Sequence, residues 1–136
     1  MFAPLRGCLY AGRPGRAERA EVDGATAAVV SRRQIAARQA TLPMTVVASR
    51  SHGNAETETF IRALAAAEIV SIGASLKFCL IAEGEADIYP RFSRTMEWDT
   101  AAGDAVLRAA GGSTRTLDGA PLAYGKCRAA DPFANP

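Results

Sequence analysis

The chain has 136 residues, 49% hydrophobic and 22% charged, which is the size of one globular domain with enough apolar material for a core and argues against disorder. A formal net charge of +2, with no run of basic residues interleaved with aromatics, argues against a nucleic-acid groove. Three cysteines far apart in sequence, Cys8, Cys79 and Cys127, give neither a disulfide framework nor a zinc knuckle and suit a reducing cytoplasm. MFAPLRGCLYAGRPGR lacks the apolar stretch of a secretion signal, and no segment approaches the roughly 20 apolar residues of a membrane helix.

In chain order, APLRGCLYAGRPG predicts one short strand around Leu9 and Tyr10, and the following residues to about 43 alternate charge and alanine without a clean period, so little structure is expected there. MTVVAS (44–49) then reads as a buried strand. NAETETFIRALAAA (54–67) reads as a helix capped by Asn54, with Glu56 and Glu58 at its positive end and Phe60, Ile61 and Leu64 as its buried stripe. EIVSIG (68–73) is a second strand, ASLKFCLIAEG (74–84) a second helix ending at Gly84, and ADIYPRF (86–92) a third strand. MEWDTAAGDAVLRAAGG (96–112) predicts a third helix with Asp99 as its cap, stopped by Gly111 and Gly112. STRTLDGAPL (113–122) closes with a hairpin-like turn at Asp118-Gly119. Strand, helix, strand, helix, strand predicts an α/β domain with helices packed on a mixed sheet.

Chemistry is concentrated near the second helix. Lys77 sits in its first turn, where a cation opposes the helix dipole. Either an anion occupies the helix start, held by the N–H groups of Gly73, Ala74 and Ser75 with Lys77 as counter-charge, or Lys77 snorkels to the surface along its stem. Arg91, after Tyr89-Pro90, is either a second phosphate ligand or an ordinary surface arginine. His52, in the loop ASRSHGN, is a ligand contact or a polar loop residue. Phosphate-ester hydrolysis with divalent metals needs several carboxylates, and only Asp99 is placed credibly as one of them.

GASLKFCLIAEGEADIYPRF (73–92), MEWDTAAGDAVLRAAGG (96–112), LDGAPLAYGK (117–126) and FANP (133–136) together resemble the C-terminal half of the inositol monophosphatase superfamily. Within it, S-L-K-F-C and Y-P-R-F are most similar to the CysQ-type 3′(2′),5′-bisphosphate nucleotidases. The resemblance implies the C-terminal half of a layered αβαβα sugar-phosphatase fold, with residues 1–43 as the remnant of a mid-domain strand and a poorly patterned segment, and 44–136 as the C-terminal α/β subdomain. It implies a magnesium-dependent phosphatase that converts 3′-phosphoadenosine 5′-phosphate to AMP during sulfate assimilation, in the cytoplasm, free or at the membrane periphery.

Residue by residue, the resemblance makes Asp99 a metal ligand that also lies near the substrate, and His52, Lys77 and Arg91 contacts to the phosphorylated nucleotide. Ala74 stands where the family often has serine. The family's other metal ligands, a Glu and the two Asp of D-P-x-D-G-[ST], have no counterpart here: V-D-G-A-T (22–26) lacks the preceding Asp-Pro, and Asp131-Pro132 lacks the rest of the motif. The expectation is an enzyme part, inactive without an N-terminal half supplied on another chain, and associating with that partner or with itself. Its alternatives are a non-catalytic remnant that binds a nucleotide weakly, and part of an inositol- or sugar-phosphate phosphatase.

Overall fold

The computed structural model describes residues 1–49, 54–64, 66–127 and 130–135. It has the predicted α/β character, with antiparallel and parallel pairing distributed among three small sheets. The first sheet is antiparallel, in the order β1 (Phe2–Ala3), β2 (Cys8–Arg13), β3 (Arg16–Val22) and β4 (Val29–Ile35). Structure over residues 16–35 corrects the expectation of little order there. The charge and alanine alternation is a strand pattern in which Ala17 and Ala20 are buried, Ala17 in the main core, while along β3 Arg19 pairs with Glu21 at 3.0 Å and Arg16 with Glu18 at 2.5 Å. V-D-G-A-T is the turn between β3 and β4: Asp23 Oδ1 accepts from the Thr26 hydroxyl and from the N–H groups of Ala25 and Thr26, and these bonds hold its carboxyl below the usual range.

β5 (Met44–Ser49) and β6 (Ala66–Ile72) pair in parallel, joined by α1 (Ala55–Ala63). Asn54 caps α1 as predicted, its side chain accepting from Thr57 N at 2.8 Å. The predicted stripe of Phe60, Ile61 and Leu64 is only half-buried, and Thr57 is the buried residue of this helix. The third predicted strand, 86–92, does not form. Asp87 N donates to Thr45 O and Ile88 O accepts from Val47 N, so the segment touches β5 at one bridge before Pro90, which has no N–H to continue a ladder.

α2 (Leu76–Ala82) ends as Gly84 takes φ +74°, one residue past the Glu83 cap. β7 (Thr95–Met96) leads into α3 (Glu97–Ala109) and pairs with β8 (Ala134–Asn135). The Asp118-Gly119 turn forms, with Thr116 N donating to Ala120 O at 2.9 Å. Among the described residues no helix is long and apolar enough to cross a membrane.

The main core joins the first sheet to both later helices, bringing Cys8, Tyr10, Ala17 and Ile35 against Phe78, Cys79, Val106 and Leu107. Burial pushes the Cys79 thiol up to about 12, which keeps it an inert apolar group. Gly103 lets α3 lie on α2: a Cβ there would stand 2.6 Å from the Phe78 ring. That close approach brings the first turns of α2 and α3 side by side.

Candidate functional site

Helix α2 is apolar because it is enclosed, with Phe78, Cys79, Leu80 and Ala82 all buried. Lys77 is enclosed with them, only 4% exposed, so it does not snorkel to the surface. Its ammonium donates to Ala74 O at 2.9 Å and Ile72 O at 3.5 Å, and lies 5.0 Å from the centroid of the Tyr89 ring. The turn that offers these carbonyls depends on Ala74, which adopts φ +55°, a conformation unusual for a residue with a Cβ. Burial lowers the Lys77 pKa from its ordinary value, and the nearby Arg91 cation lowers it further.

Tyr89 is the hub that the pattern of residue types did not reveal. Its ring packs edge-on against Phe78, with centroids 5.7 Å apart at 87°, and carries the Lys77 ammonium on its face. Its hydroxyl accepts from Arg91 Nη1 at 3.2 Å. Arg91 is fixed from two further directions, Nε donating to Ser93 O and Nη2 to Arg94 O, each at 3.2 Å. Two cations are thus arranged around one phenol. Tyr89, Pro90 and Arg91 form one wall of a cavity of about 340 Å³, whose other sides come from β5, β6 and α1, including Ile61 and Arg62.

Asp99 is exposed and occupies the third position of α3, which starts at Glu97, two residues earlier than the predicted cap. Its Oδ2 accepts from Met96 N at 3.0 Å, so it still satisfies the helix start, from inside the first turn. Ser75, beside Lys77, donates its hydroxyl to the Asp99 carbonyl at 2.8 Å. Three predicted site residues are therefore linked: Lys77 to Arg91 through Tyr89, and Asp99 to the start of α2 through Ser75. The fourth, His52, lies outside the described residues.

Among the described residues no group of three His, Cys, Asp or Glu side chains converges to hold a metal ion. Glu97, two residues before Asp99, turns away from it and is buried. Its carboxylate takes the N–H groups of Gly125 at 2.8 Å and Lys126 at 3.1 Å and pairs with the Lys126 ammonium, which holds its pKa down. Asp131 pairs with Arg94 at 2.6 Å, so the Asp131-Pro132 dipeptide serves an ion pair.

A model of the inositol monophosphatase family matches residues 1–132. The chain is 43% identical over 124 residues to the 3′(2′),5′-bisphosphate nucleotidase CysQ of Escherichia coli K12, covering 91% of this chain and 47% of that protein. It is 79% identical over 68 residues to an uncharacterized protein in the pss 5′ region of Rhizobium leguminosarum bv. phaseoli, covering 48% of this chain and 72% of the other. Among solved structures, CysQ from Bacteroides thetaiotaomicron superposes with a TM-score of 0.79 at 36% identity, over 99% of this chain and 54% of that one. The chain thus spans about half the length of the CysQ proteins it matches.

Proposed function

The chain belongs to the inositol monophosphatase family, and from that premise we propose that it binds a 3′(2′),5′-bisphosphate nucleotide and forms part of a phosphatase that removes the 3′-phosphate. The observation that carries this reading is the joining of Lys77 to Arg91 through Tyr89 at a cavity wall, next to the helix starts that hold Asp99. Two cations on a half-buried aromatic attract an anion more strongly than they would in open water, because the local dielectric is low. Arg91 contacts a phosphate directly through its guanidinium. Lys77, committed to two carbonyls, adds positive potential and shapes the 72–75 turn. His52 joins as a nucleotide contact on the strength of the resemblance.

Asp99 would supply one carboxylate oxygen to the magnesium that the family resemblance implies. A magnesium ion takes about six oxygen ligands. The described residues alone do not make that site. In our reading the remaining carboxylates come from a segment outside this sequence, on the same or a second polypeptide, and this chain alone binds ligand without turning it over. The described cysteines are all free thiols, in keeping with a reducing, cytoplasmic setting.

Titration calorimetry with 3′-phosphoadenosine 5′-phosphate and with AMP tests the reading. The bisphosphate is expected to bind about tenfold more tightly than AMP, the difference one charge-assisted phosphate contact makes. Equal affinities would count against it. Magnesium-dependent phosphate release by the chain alone, abolished in Asp99→Asn, would show instead that the site is already complete.

A further inference from the structure

The Tyr89 hydroxyl accepts a hydrogen bond from Arg91, and among the described residues it has no acceptor for its own proton. Arg91 has five N–H groups. Its bonds to Ser93, Arg94 and Tyr89 use Nε–H and one N–H on each terminal nitrogen, which leaves one N–H on Nη1 and one on Nη2. Both residues line the same cavity. Among the described residues three donors, two cationic and one phenolic, are therefore unused, on two side chains that line a space large enough for part of a ligand.

We propose that Tyr89 is a further ligand-binding residue of this site, its hydroxyl donating to an anionic oxygen of the ligand beside the two remaining N–H groups of Arg91. The inference rests on the bisphosphate reading above and adds a contact to it. A hydroxyl that accepts from a guanidinium is polarised and donates more strongly. The ring is held in place by Phe78 on its edge and Lys77 on its face, so little side-chain freedom is lost when a ligand arrives. The contacts to Phe78 and Lys77 use only the ring, so the hydroxyl serves Arg91 as acceptor and keeps its own proton for the ligand.

The test is titration of the full chain with 3′-phosphoadenosine 5′-phosphate and, separately, with inorganic phosphate. Tyr89→Phe keeps the ring and is expected to weaken nucleotide binding about tenfold, with unchanged circular dichroism. Arg91→Lys keeps the charge but loses the anchor of the hydroxyl. The double variant should therefore lose less than the product of the two single losses. Binding by Tyr89→Phe within about twofold of the unaltered chain, or losses that multiply independently, would overturn the proposal. If inorganic phosphate binding depends on Tyr89 but the bisphosphate is not preferred over AMP, the Tyr89 contact stands and the nucleotide reading falls. If neither probe binds the unaltered chain, both fall.

Discussion

Ser75, at the start of α2, donates its hydroxyl to the backbone carbonyl of Asp99, in the first turn of α3, at 2.8 Å. One side chain thus fixes the turn that carries the proposed metal carboxylate against the turn that encloses Lys77. Removing the hydroxyl in Ser75→Ala is expected to cost about 1 kcal/mol in chemical denaturation. Its sharper signature is local: amide hydrogen exchange should speed up in the first turn of α3 and not in its last.

Glu83 caps the end of α2 and ties it to the first sheet. Its side chain is 1% exposed, and its carboxylate accepts from the Tyr10 hydroxyl and from Arg33, each at 2.5 Å, with Arg19 Nε at 3.7 Å. Burial, together with this carboxylate, raises the Tyr10 pKa well above the usual range. Glu83→Gln leaves two arginines facing a neutral amide and should cost about 3 kcal/mol in urea unfolding, without moving ligand affinity once the protein is folded.

Acid should loosen the contact between β5 and the segment after α2. Asp87 is held below the ordinary carboxyl value of 3.8 chiefly by Arg38, which grips it through two bonds of 2.7 Å; burial opposes this, and the Thr45 N–H assists. A carboxylate favoured in the fold contributes its full stability above the ordinary value and loses it as pH falls through the lowered one. Unfolding midpoints in urea should therefore drop below about pH 4, and Asp87→Asn should flatten that part of the curve while lowering its plateau.

The contact of α2 with α3 leaves no room for a methyl group at Gly103. A Cβ there would stand 2.6 and 2.8 Å from two carbons of the Phe78 ring. Gly103→Ala is expected to lower stability by about 1–3 kcal/mol in thermal or urea unfolding. Because Phe78 also braces Tyr89, phosphate-ligand affinity should fall with it, whereas Gly24→Ala, where a Cβ meets nothing within 4 Å, should leave affinity unchanged.

The parts of the fold that could be read from sequence were those where one residue type has one physical use. Asn54 before Glu56 and Glu58 signalled a helix start, and MTVVAS a buried strand, because few other structures suit those residues. β3 and β4 were obscured because alanine and arginine are weak strand formers on their own. Their strand character comes from one cross-strand ion pair, Arg32 with Glu18, from ion pairs along β3, and from β3 alanines small enough to be buried. Ile88 and Tyr89 have strand-type side chains, but the Ile88 backbone makes a single bridge and the Tyr89 ring a cation hub. For the site, Lys77 was noticeable because a cation conflicts with the first turn of a helix. Tyr89 gave no such conflict, since nothing in Y-P-R distinguishes a tyrosine that joins two cations from one that only fills space.

The outer rim of β4 has a further consequence. It is the last strand of the first sheet, and Val29 to Gln34 are exposed along it. A strand rim of this kind is a template on which another strand can add. Arg32 and Arg33 sit in the middle of it, so two copies meeting rim to rim would bring like charges together. Arg33 is partly neutralised by Glu83, and Arg32 lies 3.8 Å from Glu18. The same arginines that pair with Glu18 and Glu83 thus place positive charge along the rim, which disfavours the meeting of two such rims.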